Sequence, residues 1–220
     1  KVIVSALDKT KKMNDKIQTL ETNLLTNPTK AEKTESELSD MVNRLEMISD
    51  SERILQLIQK RGRETKTVEL KQTFFYDIKT KTSNNEIQTS TMKVICSFLN
   101  TIGGTLLIGV ADNGEITGMH QEVNKLHKNR FDQFKLRFGQ ILGTRIGSEF
   151  ENLIDYEFIT MSAKKHIFEI TCSPITGPNG CFLDGKIFYV RRNPYTEKLE
   201  GKDLAIYYGD RFPQGRKNSK

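Results

Sequence analysis

The chain has 220 residues, enough for one ordinary domain plus an extension. A hydrophobic fraction of 36% without tryptophan allows a core of modest size, and three widely spaced cysteines exclude a disulfide framework. The net charge of +6 divides unevenly, −1 over residues 1–50 and +7 over residues 51–220, so a polyanionic partner is expected for the second part.

No apolar run reaches the ~18 residues of a membrane span, so no membrane partner is expected. No signal peptide is visible, and a reducing cytoplasm is the default compartment. The first residue is Lys1 rather than Met, as expected of a piece of a longer protein.

Ile3, Ala6, Thr10, Met13, Ile17, Leu20 and Leu24 follow the 3-4 spacing of a heptad seam, with Lys, Asp, Asn and Gln on the other faces. Asn27-Pro28 interrupts it. A second seam follows at Ala31, Thr34, Leu38, Met41, Leu45 and Ile48. The two segments form either one long kinked coiled coil or a helical hairpin turned at Asn27-Pro28. Residues 1–50 are therefore expected to be a helical oligomerisation segment that makes a homodimer or larger oligomer. Ser49-Asp50-Ser51 reads as a cap cluster before a short helix over Ile54–Ile58, and the domain boundary is placed near residue 50.

A strand is expected over Thr67–Phe75, with Val68 and Leu70 facing one way and Glu69 and Lys71 the other. Residues 77–85 are polar, and Ser83-Asn84-Asn85 reads as a loop ending in a helix cap. The next helix, Glu86–Ile102, carries Met92, Ile95, Phe98, Leu99 and Ile102 on one face. Gly103-Gly104 turns the chain into a buried strand at Leu106-Leu107-Ile108, and Asp112-Asn113-Gly114 is hairpin-turn chemistry. Gly109 and Ala111 leave one strand face bare, with room for a ligand or a nucleic-acid backbone.

A single helix is expected over Gln121–Gly143, its polar side crowded with Lys125, Lys128, Arg130, Lys135 and Arg137. Two strands follow, Leu153–Thr160 and His166–Cys172, joined through Lys164-Lys165. A further strand is read at Lys186–Arg191 and a short final helix at Asp203–Tyr208. Residues 211–220 are expected to form a basic tail. Helices and strands interleave, but two connections look like hairpins. The fold class expected for residues 51–210 is therefore α+β, a mixed sheet with flanking helices, behind an α-helical segment.

Three carboxylates stand out: Glu64 before the first strand, Glu69 within it and Asp112 after the second. If those strands are neighbours, the three can converge at one strand end. Carboxylate oxygens with a nearby lysine suit Mg²⁺ or Mn²⁺ and phosphodiester cleavage, the metal activating water while Lys71 contacts the phosphate. The plainer reading of a Glu-Lys pair two apart is a solvated strand face. Lys164, Lys165, Arg191, Arg192, Lys128 and Arg137 are candidate phosphate contacts. The sequence contains no GxxxxGK[ST], which disfavours a P-loop ATPase.

GRETKTVELK (Gly62–Lys71), CSFLNTIGGTLLIGVADNGEITG (Cys96–Gly118) and IFYVRRNPYTEKLEGKDL (Ile187–Leu204) resemble the Schlafen AlbA-type domain, over about residues 52–208. The resemblance implies an α+β nucleic-acid-binding fold. In animal members with nuclease activity two glutamates five residues apart and the last Asp of a GVDD-like turn form the active site. Glu64, Glu69 and Asp112 match those places, and Lys71 matches a family lysine. Leu70 stands where the family usually has Phe, and Ala111 replaces the first Asp of the turn. The chain holds one lobe where the animal nucleases have two, and their Cys/His zinc site is not evident. The expected activity is metal-dependent endonuclease action on structured, tRNA-like RNA or single-stranded nucleic acid, with RNA favoured over duplex DNA. The alternatives are a non-catalytic nucleic-acid-binding module and a coiled-coil interaction protein.

Overall fold

Hydrophobic spacing and glycine placement decide where the elements lie in a computed structural model, which describes residues 11–22, 31–61, 65–162 and 165–212. The chain divides into two compact units, Lys1–Leu57 and Ile58–Lys220.

In the first unit residues 11–22 form α1, and α2 (Ala31–Arg61) starts there and ends in the second unit. Met13 and Ile17 are half-buried and Leu20 is buried, while every other residue of α1 is exposed. Over residues 35–47 only Leu38, Met41 and Leu45 are sheltered, with Ile48 following in register. The spacing read from the sequence thus marks the covered side of each helix. Asn27-Pro28 lies outside the described residues. The expected cap at Ser49-Asp50-Ser51 does not start a new helix, because α2 runs through it from Ala31 to Arg61. The Ser51 hydroxyl donates to Ile48 O at 2.9 Å within α2 itself.

The second unit is built on a four-stranded sheet of order β1-β4-β6-β5: β1 (Val68–Lys71), β4 (Gly104–Ile108), β6 (Lys165–Cys172) and β5 (Ile154–Ser162). β1 and β4 are parallel and pair Glu69 with Leu106; the other two pairings are antiparallel. The sheet is mixed and flanked by helices, as expected. A three-stranded antiparallel sheet holds β7 (Phe182–Leu183), β8 (Ile187–Arg191) and β9 (Thr196–Leu199). A small hairpin pairs β2 (Tyr76–Asp77) with β3 (Thr82–Ser83), where the sequence suggested only a polar loop.

α3 (Asn85–Leu99) crosses over between β1 and β4. Asn84 caps it, its side-chain oxygen accepting from Glu86 N at 2.8 Å. The helix stops at Leu99, so Ile102 is 54% exposed and not part of its apolar face. Met92, Ile95, Phe98 and Leu99 are fully buried. Gly103 takes φ of 79°, and a Cβ on Gly104 would lie 2.7 Å from the Phe98 ring. The tight turn therefore needs both glycines.

β4 ends at Ile108 because Gly109 adopts φ of 96°. Its amide and that of Val110 both donate to Lys71 O, and Gly109 O accepts from Thr117 and Gly118. Val110 bridges Ile116 around the Asp112-Asn113-Gly114 turn. A Cβ on Gly109 would meet the Gly118 backbone at 3.2 Å. The bare strand face expected to admit a ligand is thus filled by the chain's own returning segment.

The helix expected over Gln121–Gly143 is two helices, α4 (His120–His127) and α5 (Phe131–Arg145). Lys128 and Asn129 between them are left-handed, with φ of 50° and 65°. α5 packs Phe134 and Phe138 edge-on against Phe168, and Phe138 also meets Tyr156. The final helix, α6 (Gly201–Arg211), is longer than expected, and residues 213–220 lie outside the described residues.

Candidate nucleic-acid interface

Because β1 and β4 are parallel, both end at one edge of the sheet, and a groove of about 670 Å³ opens there. It is lined by Leu70 to Thr73, by Ile87 and Ser90 of α3, by Asp112 of the turn after β4, and by Pro194. The carboxyl ends of parallel strands are a common ligand position, since the chain diverges there into loops. Asp112 is exposed and Lys71 half-buried on this groove.

Glu69 is not free to serve the groove alone. It is 6% exposed; Lys71 Nζ lies 3.5 Å from Oε1 and Arg191 Nη2 lies 2.6 Å from Oε2. Oε2 accepts no hydrogen bond of good geometry among the described residues. The Arg191 protons are aimed elsewhere: Nη2 donates to Thr65 O at 2.8 Å and Val68 O at 3.3 Å, and Nε to Thr65 O at 3.2 Å. Arg191 Nη1 reaches Thr196 Oγ1 at 3.4 Å, and the guanidinium lies over the Phe98 ring at 5.4 Å. Arg191, 2% exposed at the end of β8, therefore fastens the second sheet to the start of β1 rather than facing a phosphate.

The other expected contacts separate. Glu64 and Lys164 lie outside the described residues. Arg192 is exposed and pairs with Glu197 at 2.7 Å. Lys165 Nζ donates to Ile116 O at 2.6 Å. Lys128 and Arg137 line a second groove, between α4 and α5, together with Arg130. Glu69 lies within β1 and Asp112 in the turn after the neighbouring β4, and among the described residues no group of three His, Cys, Asp or Glu side chains could hold a metal ion. Each Glu69 oxygen already faces a cation, and a divalent ion would have to displace one. The described residues alone do not fit a Mg²⁺ or Mn²⁺ site.

Two buried residues that hold this unit together were not given a role from sequence. Glu122 of α4 is buried, and its carboxylate accepts from Phe74 N at 2.9 Å and Phe75 N at 2.8 Å. It pins the segment that runs on from the first groove. Burial pushes its pKa up to about 7, outweighing the two amide donors that favour the charged form. Asn100, fully buried just after α3, gives its amide protons to Cys181 O (2.8 Å) and Tyr189 O (2.9 Å) and accepts from Cys181 N (2.8 Å). A lone Glu or Asn whose partners are backbone groups far along the chain leaves no local pattern to read.

No curated protein matches the chain. Among solved structures, that of the DIP2311 protein from Corynebacterium diphtheriae is similar at 18% identity with a TM-score of 0.47. That match covers 77% of this chain and 29% of the other, so the chain spans under a third of that protein's length. The family described as Schlafen, AlbA_2 matches residues 64–200, well over half of the sequence, and the chain belongs to that family.

Proposed function

We propose that the unit from Ile58 onward binds nucleic acid, drawing a single strand, RNA rather than duplex DNA, across the groove at the ends of β1 and β4. The observation that carries this is Lys71. It stands at the mouth of the groove in a unit of strong basic excess, while Glu69 is held from behind by Arg191. Family membership supports a nucleic-acid-related role. A strand crossing the groove presents phosphate to the Lys71 ammonium, and the backbone of Gln72 and Thr73 lies beside it.

A second reading is metal-dependent cleavage of structured RNA, with Glu64, Glu69 and Asp112 holding Mg²⁺ or Mn²⁺. Asp112 favours it, since it shares the groove with Lys71. It requires Lys71 or Arg191 to withdraw from Glu69. Binding of a labelled single-stranded RNA at low salt tests both. Lys71→Ala is expected to weaken binding about fivefold or more, the loss of one phosphate contact. Unchanged affinity removes the groove from the proposal. Cleavage in Mn²⁺ that Asp112→Asn abolishes would establish the second reading in place of the first.

Self-association through residues 1–50 is proposed as well, with Val42 and Met47 exposed on α2 beside the seam. Light scattering at micromolar concentration is expected to show a dimer or larger species. A monomer mass would mean that one chain covers its own seam.

A further inference from the structure

The groove between α4 and α5 has a lining unlike the first. Lys128, Arg130, Arg137 and His127 contribute to it, and no Asp or Glu does. Lys128, Arg130 and Arg137 are exposed, and no ion pair to any of them is formed among the described residues. Asp132, beside the groove residue Gln133, accepts a hydrogen bond from that side chain instead. Of the three cations only Arg130 has a carboxylate in electrostatic reach among the described residues, that of Asp132, and three cations around one concavity repel one another, so the arrangement costs stability unless an anion enters. The His127 imidazole registers this. Its pKa is lowered by burial first and then by Arg137 and Arg130.

The lining is also partly apolar and aromatic, from Phe75, Leu126 and Leu136, and the volume is about 510 Å³. Leu136 is 57% exposed. A duplex presents its phosphates on a convex surface and keeps its bases stacked. A single strand can place a base against Phe75 while its phosphates meet the rim. The two grooves are also close along the chain. Thr73 borders the first and Phe75 the second, two residues and at most about 7 Å apart.

Resting on the nucleic-acid-binding reading above, we infer that the α4–α5 groove is a second subsite, which takes the phosphate backbone of the same single strand after it leaves the Lys71 groove. The strand passes over the Thr73–Phe75 segment, with Arg130 and Arg137 on the phosphates and Phe75 under a base.

The test is fluorescence anisotropy with a labelled single-stranded RNA about 20 nucleotides long on the full chain, comparing wild type, Lys71→Ala and the triple variant Lys128→Ala/Arg130→Ala/Arg137→Ala. All three triple-variant positions are exposed and their mutual repulsion is removed, so the unfolding transition should lie at or above that of wild type. Affinity near 50 mM salt should fall at least about tenfold in the triple variant, and the salt slope should drop by about 2, for three lost phosphate contacts. An unchanged slope in the triple variant, with Lys71→Ala still weakened, overturns the second subsite and leaves the first groove standing. An equal loss on a duplex of the same sequence overturns the single-strand assignment. A wild-type chain that binds no RNA at low salt overturns the nucleic-acid reading itself.

Discussion

Asn100→Asp is expected to destabilise the second unit by about 4 kcal/mol, the combined loss of two buried amide donors and the exposure of two carbonyls to a carboxyl oxygen. The substitution changes no volume. Its effect lies in which atoms meet. The amide nitrogen that now donates to Cys181 O and Tyr189 O becomes an oxygen held 2.8 and 2.9 Å from two acceptors. The ionised form would in addition be a fully buried charge, so the new side chain would protonate or the contact would open. Protonation recovers one of the two lost bonds at most. Asn100 joins the end of α3 to the residue before β7 and to β8, so opening the contact loosens the second sheet. Urea unfolding followed by far-UV circular dichroism checks it. A loss under about 1 kcal/mol, the worth of one ordinary hydrogen bond, would mean that this network does not hold the sheet to α3.

Arg191→Met should cost about 3 kcal/mol, the low end of what removing one partner of a buried ion pair does. The pair is buried on both sides, and the variant leaves Glu69 with a carboxylate and no Arg191 beside it. Thr65 O and Val68 O each lose an Arg191 donor at the same time, while Val68 O keeps the one from Thr65 N at 2.9 Å. Lys71 remains 3.5 Å from Oε1, which keeps the cost from the upper end of the range. The companion Glu69→Gln/Arg191→Met should recover part of the loss, because the unpaired charge is then gone. Equal stability of the single and double variants would show that the damage comes from the carbonyls and not from the carboxylate. With Glu69→Gln alone as the fourth corner, the cycle measures how firmly Glu69 is committed to structure.

The stretch around β4 was legible because its signals are local. The two glycines, the apolar triplet and the Asp-Asn-Gly turn each act within a few residues. The cap at Asn84 was legible for the same reason. The Glu69 and Lys71 pairing followed from strand alternation, and their side chains do meet. The break between α4 and α5 was not legible. Neither Gly nor Pro marks it, and Lys128 and Asn129 accept left-handed backbone that their types merely tolerate. β2 and β3, two residues each, are too short to show alternation. Arg191 and Arg192 looked equivalent as neighbours after a strand, and only the placement of β1 draws one of them inward. The acid-free groove needed α4 and α5 to be brought together, and no single helix displays it.

The Glu122 clamp links folding to protons. Its carboxyl has a pKa near 7 when folded, against 4.5 when free. Between those values the folded chain keeps a proton that the unfolded chain has released, so stability falls as pH rises through this window. Below 4.5 both states are protonated and the group contributes no slope; above 7 the folded chain carries the full cost of a buried charge. For a difference of this size the loss is on the order of 3 kcal/mol. Glu122→Gln should flatten thermal stability between pH 5 and 7, and an unchanged slope would assign it to other groups. The segment that the carboxylate holds is the one running between the two grooves, so the bridge over which a bound strand would pass is tied down by a group that titrates near neutrality.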